Sequence, residues 1–228
     1  MKSLNQYINE KLKVSKNQNQ YNYCPKTKEE LKELLKQLIE ERGNNGNFND
    51  IDTSEITDMS MLFIDIKDFN GNISNWDVSN VKNMEDMFAK CYLFNQPLNN
   101  WDISKVTDIS GMFYNCRSFN QPLNEWDVSN VTNMREMFYE CKELDCDLSD
   151  WDVSNVTNMA VMFTGCYKFK GKGLENWDVS NVTNMRYMFS YCNSLDCNLS
   201  NWDVSNVNGF YDIFYQCPIK DEYKPKFI

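Results

Sequence analysis

Residues 126–134 read WDVSNVTNM, and near copies of this stretch recur every 25 residues through most of the chain. The register is counted on the tryptophans: Trp76, Trp101, Trp126, Trp151, Trp177 and Trp202 stand 25, 25, 25, 26 and 25 residues apart. Ile51, 25 residues before Trp76, opens a worn copy, IDTSEITDM. A fixed period of this length marks stacked repeat units, because one unit alone cannot bury its apolar face. The count is seven units over residues 48–217.

Each unit divides in two. In LNEWDVSNVTNMREMFYEC, residues 123–141, Trp126 and Val128 alternate with Asp127 and Ser129, a strand-like period of two, and Val131 continues the inward set. Met134, Met137, Phe138 and Cys141 then follow helical spacing, with Asn133 at the N-cap and Glu136 three residues on. Pro122 in SFNQPL sets the return turn. The columns repeat this division. Val78, Ile103, Val128, Val153, Val179 and Val204 fill one strand slot, while Met87, Met112, Met137, Met162, Met188 and Ile213 fill a helical one. The pattern predicts an α/β solenoid, leucine-rich-repeat-like, of seven units, each a short strand plus a short helix or 3₁₀ turn. Full helices would curve the rod, since helices pack about 8–10 Å apart and strands about 4.8 Å. Flatter 3₁₀ turns would leave it straighter.

The flanks read as caps. Thr27 with Glu30 forms a capping box, and Leu31, Leu34, Leu35, Leu38 and Ile39 make one apolar stripe. Residues 1–47 are therefore a lead-in plus a capping helix over about 28–42, ended by Gly43. Within the lead-in, QYINEKLKV suits a short strand or helix and SKNQNQ a turn. Residues 218–228 are expected to fold over the last unit through Ile219, Tyr223, Phe227 and Ile228.

Apolar residues make up 42% of the 228-residue chain and lie in strict columns, so there is a core to bury. A formal charge of -10 argues against a general nucleic-acid or anionic-membrane surface. No apolar run is long enough to span a bilayer, and no signal-peptide core is visible, so the sequence as given reads as cytoplasmic. With no histidine, no P-loop and no G-x-G-x-x-G, the chain reads as non-catalytic and without a cofactor.

Two ladders invite sharper readings. Cys91, Cys116, Cys141, Cys166, Cys192 and Cys217 share one slot, which Ile66 fills in the first unit, so a small buried apolar group is wanted there. Cys146 and Cys197 stand in slots held elsewhere by glutamine; disulfide, zinc site and free thiol are all open for them. Asp77, Asp102, Asp127, Asp152, Asp178 and Asp203 form a row of like charges that local Asx-turns can answer, with calcium binding as the alternative. The tryptophan row is expected to be a packed corner of the rod.

What varies between copies is a better pointer to function. The positions after the motif carry Glu85, Tyr114, Arg117, Arg135, Tyr139, Lys142, Tyr167, Arg186, Tyr187 and Tyr191. Tyrosine and arginine often anchor protein interfaces, so this face is the candidate interaction surface; solvated, unconstrained positions would look the same.

The units FNQPLNEWDVSNVTNMREMFYEC and FNQPLNNWDISKVTDISGMFYNC resemble the repeats of the BspA-like leucine-rich surface proteins, also called DUF285 or PARCEL repeats. The resemblance spans residues 48–217 and implies a leucine-rich-repeat scaffold, a cell-surface setting and adhesion or partner-protein binding. It carries over scaffold residues such as Trp126, Asp127, Val131 and Phe138 and no catalytic residue. The expected function is a protein-interaction scaffold with an unidentified protein partner. A structural element that self-associates end to end and a metal-supported binding module are the alternatives.

Overall fold

Six turns fold each of units two to six, and these turns replace both expected halves. In unit four, the N–H groups of Trp126, Val131, Met137, Tyr139, Cys141 and Leu144 each donate to the carbonyl three residues earlier. Such bonds close β-turns. The computed structural model describes residues 21–227, so the lead-in segments QYINEKLKV and SKNQNQ lie outside the described residues. Among the described residues there is one α-helix, α1 (Lys28–Arg42), and two 3₁₀ turns, Leu174–Asn176 and Asp221–Tyr223. Parallel pairing there is confined to eight isolated bridges, such as Asp108↔Asn133 and Asn133↔Asn158. The α/β solenoid of strand–helix units, with its leucine-rich-repeat likeness, is therefore incorrect: the described residues are mostly coil and turn, without a sheet among them.

The reason lies between the units. Count each tryptophan, or Ile51, as position 0. The residues at positions 10 and 14 have positive φ in all seven units, from Met61 and Asp65 through Glu136 and Glu140 to Asp212 and Gln216. A right-handed helix cannot pass through such residues. Their effect is to aim alternate N–H groups outward. Met84, Asp86, Phe88 and Lys90 donate to the carbonyls of Asp108, Ser110, Met112 and Tyr114 in the next unit, at 2.7–3.0 Å. The same four rungs join every pair of neighbouring units, and a fifth runs the other way, as from Thr107 to the Lys82 carbonyl. An α-helix would spend these N–H groups internally. It would also hold neighbours too far apart, since Phe113 and Phe138 stack at 5.7 Å and Phe138 and Phe163 at 5.6 Å. Asn133 accordingly accepts the Arg135 N–H at 3.2 Å in an Asx-turn instead of capping a helix, and Glu136 has φ 58°.

Positive φ is least suited to β-branched residues, yet Val161 holds φ 65°. Val161→Gly is expected to stabilise the protein by about 1 kcal/mol, read as a thermal midpoint about 2–4 °C higher. An unchanged or lower midpoint would mean that the stack carries no strain there.

The inward columns form one continuous core, with Trp126, Val131, Met134, Met137, Phe138 and Cys141 all buried. Side chains fasten the turns. The Trp126 indole N–H donates to the Leu98 carbonyl at 2.9 Å, and the Asn130 amide to the Ser104 carbonyl at 2.8 Å. At the N-terminal end α1 covers the first unit with Leu31, Leu34, Leu35 and Leu38. Its start is fixed by Thr27, which accepts the Glu30 N–H, and its end by Gly43, whose N–H reaches the Ile39 carbonyl. At the other end Ile219 is buried, Tyr223 and Phe227 are half-buried, and the Leu199 N–H donates to the Tyr223 carbonyl.

Candidate functional site

The cysteine and aspartate rows are tied into the scaffold. Cys91, Cys116, Cys141, Cys166 and Cys192 each donate the thiol to the phenylalanine carbonyl of the preceding unit, at 3.0–3.1 Å. Burial pushes the Cys116, Cys141, Cys166 and Cys192 thiols far above their ordinary range, so they stay protonated. All nine cysteines are free. Cys146 is buried and Cys197 half-buried, and burial pushes both thiols up to about 12. Each aspartate of the motif accepts the N–H of the serine two residues on, as Ser129 to Asp127 at 3.0 Å. Hydrogen bonds from these serines lower the Asp102, Asp152, Asp178 and Asp203 carboxyls. Among the described residues, no group of three or more cysteine or acidic side chains is arranged to hold a metal ion.

A charge strip joins units four and five. Lys168, Lys170 and Lys172 pair in register with Glu143, Asp145 and Asp147, and the Lys172 hydrogen bond brings Asp147 down to about 2. These pairs are exposed and chiefly align the units.

The ten variable residues do not behave as one surface. In the middle of the stack they are engaged by one another or by neighbouring side chains. Tyr114 and Tyr139 are half-buried and stack at 4.6 Å. Arg117 lies over the Tyr92 ring at 4.4 Å and donates to Asn115. Arg135 pairs with its neighbour Glu136 at 2.6 Å, and Lys142 lies 5.4 Å over Tyr167. Glu85 is half-buried, its N–H turned to Asn83.

At units six and seven the same positions open outward. Tyr187 meets Tyr211, and Tyr191 meets Tyr215, each edge to face at 5.4 Å. Tyr211 is 63% exposed, and Tyr215 and Phe210 are exposed with it. Arg186, Tyr187, Asn208, Phe210 and Tyr211 line a pocket of about 440 Å³. Among the described residues no carboxylate pairs with Arg186. Phe210 and Tyr215 are absent from the sequence-derived set, and Tyr211 stands at the variable position that Arg135 and Arg186 hold in other units. A signal was present: Phe210 replaces the methionine or isoleucine of its column in the seventh unit. A second pocket, of about 480 Å³, lies in the seam between α1 and unit one, lined by Leu35, Ile39, Leu62 and Ile64 among others.

A stack of turn-built 25-residue units, capped by a helix and carrying an exposed aromatic patch on its last two units, is the class of protein these features define. The chain belongs to the family described as Mycoplasma protein of unknown function, DUF285, whose pattern matches residues 29–149 and 135–223. Neither the curated proteins nor the solved structures contain a match to it. Among the described residues no helix is long and apolar enough to cross a membrane.

Proposed function

We propose that this protein is a non-catalytic interaction scaffold that binds a partner protein through the aromatic patch on its last two units. The observation that carries this reading is the concentration of Tyr187, Tyr191, Phe210, Tyr211 and Tyr215, all exposed, on the last two units, with Tyr187, Phe210 and Tyr211 lining one pocket with an arginine free of ion pairing among the described residues. Large exposed aromatics carry an unfavourable contact with water that a partner relieves, and tyrosine and arginine dominate interface energetics. The tyrosines stand on a scaffold bonded between units, as Tyr187 N–H to Tyr211 carbonyl at 3.0 Å and Tyr191 N–H to Tyr215 carbonyl at 2.8 Å. The similarity of the repeat wording to BspA-like surface proteins favours adhesion as the setting.

A photo-crosslinking residue at Tyr215 would identify the partner, and the pair Tyr187→Ala with Tyr211→Ala tests the face. Binding of the identified partner is expected to fall about tenfold or more, while Tyr114→Ala, within the stacked middle row, leaves it nearly unchanged. Undiminished binding by the patch variant would overturn the assignment.

A further inference from the structure

The rungs between units are directional. Positions 8, 10, 12 and 14 of each unit donate N–H groups forward, and positions 7, 9, 11 and 13 of the next unit accept them. In the last unit the forward donors are Phe210, Asp212, Phe214 and Gln216. Asp212 and Gln216 hold φ 49° and 53°, as the paired edges do at the same positions. Among the described residues none of these four N–H groups meets an acceptor, while the intervening carbonyls of Gly209, Tyr211, Ile213 and Tyr215 are taken by unit six. Over positions 8 to 14 the C-terminal edge therefore offers a row of donors, with a net positive partial charge, while the Asn208 carbonyl is left for the reverse rung. At the opposite end the complementary carbonyl positions, Asp58, Ser60, Leu62 and Ile64, lie on the unit that α1 covers, with Lys28 bonded to the side chains of Asp58 and Ser60.

We infer that the C-terminal edge docks a unit of this same repeat from a second protein, which supplies carbonyls at its positions 7, 9, 11 and 13. Continuity is the first argument, because this edge repeats six interfaces already made inside the chain. Phe214, half-buried where its column mates are buried, offers the next ring face in a column that stacks at 5.7 Å between Phe189 and Phe214. Charge complementarity is the second. Two such edges would set donor against donor, so the intact chain does not dimerise through them. A β-strand presents donors and acceptors alternately and would leave donors facing donors. A polyanion would meet a protein of charge -10. The C-terminal tail competes for the place: Phe227 stacks on Phe210 at 5.5 Å and Lys224 lies 5.8 Å from the Phe214 ring. Docking displaces these contacts. It shares Phe210 with the patch but does not use the Tyr187 and Tyr211 side chains, so the pair Tyr187→Ala with Tyr211→Ala separates the two readings.

The test is a titration of the ¹⁵N-labelled full chain, under reducing conditions, with a synthetic peptide of residues 126–150. The amide signals of Phe210, Asp212, Phe214 and Gln216 are expected to shift saturably, with hydrogen exchange slowed about tenfold or more, and a scrambled peptide is expected to leave them in place. Phe227→Ala is expected to bind the peptide about fivefold tighter, the worth of one aromatic pair. Sedimentation of the intact chain is expected to give a monomer. Unmoved amides at millimolar peptide overturn the proposal, as does an equal response to the scrambled peptide, to oligoproline or to oligoglutamate. Unchanged affinity in Phe227→Ala overturns the competing tail, and a dimer whose interface maps to these amides overturns the polarity argument.

Discussion

Phe138→Ala is expected to remove about 3–5 kcal/mol of stability and to divide the unfolding of the stack. Phe138 is fully buried at the centre of the array, with its ring 5.7 Å from Phe113, 5.6 Å from Phe163 and 6.3 Å from Trp151. Deleting it opens a cavity that touches three units. The backbone cannot close that cavity, because the Phe138 N–H is held to the Met162 carbonyl and its own carbonyl receives the Cys141 N–H and the Cys166 thiol. Units in such an array contact only their neighbours, so cooperativity depends on each junction. A weakened middle junction lets the two halves melt separately. Phe214→Ala, at the half-buried end, removes less and leaves one transition. Denaturant unfolding followed by tryptophan fluorescence distinguishes the two. A single transition for Phe138→Ala, with a loss below about 1 kcal/mol, would refute the ring column as the main junction.

Gly173→Ala is expected to cost about 3 kcal/mol, combining backbone strain with a steric clash. Gly173 has φ 90° and precedes the short turn Leu174–Asn176, in the one unit with an extra residue. A Cβ there would lie 2.4 Å from both the N and Cα atoms of Ser149 in the unit before. Backbone cannot swing aside as a side-chain tip can, so units four and five must separate, and the ion pairs of Lys170 and Lys172 loosen with them. Gly43→Ala supplies the comparison. Gly43 also has positive φ, 76°, but nothing lies within 4 Å of its added Cβ. That change is expected to cost about 2 kcal/mol, the strain alone, because φ 76° with ψ 170° lies in a region nearly confined to glycine. Equal losses for the two, measured by thermal melting, would show that the close approach at Ser149 has no energetic weight.

The same contrast explains which parts of the molecule were legible. Helix α1 was, because its stripe of leucines and its Thr27–Glu30 signal act within one short segment. The Asx-turn at each aspartate was, because it spans three residues. The candidate surface was legible only as a set of variable positions. That Arg117 and Arg135 are engaged by Tyr92 and Glu136, while Arg186 has no carboxylate, depends on which residues neighbouring units bring alongside. The exposure of Phe210 depends on the last unit having no further repeat unit stacked on it among the described residues, only the tail residue Phe227.

By itself the sequence determined the 25-residue period, the columns that face inward and the capping helix at the start. Those are properties of spacing and local hydrogen bonding, and they survive any choice of backbone. Only the tertiary structure decided the backbone itself. Apolar residues at positions 8, 11, 12 and 15 suit an α-helix and a chain of β-turns equally well. Neighbouring units break the tie: rings stacked near 5.6 Å leave no room for helices, and four forward N–H groups per unit bond more favourably to the next unit than within their own.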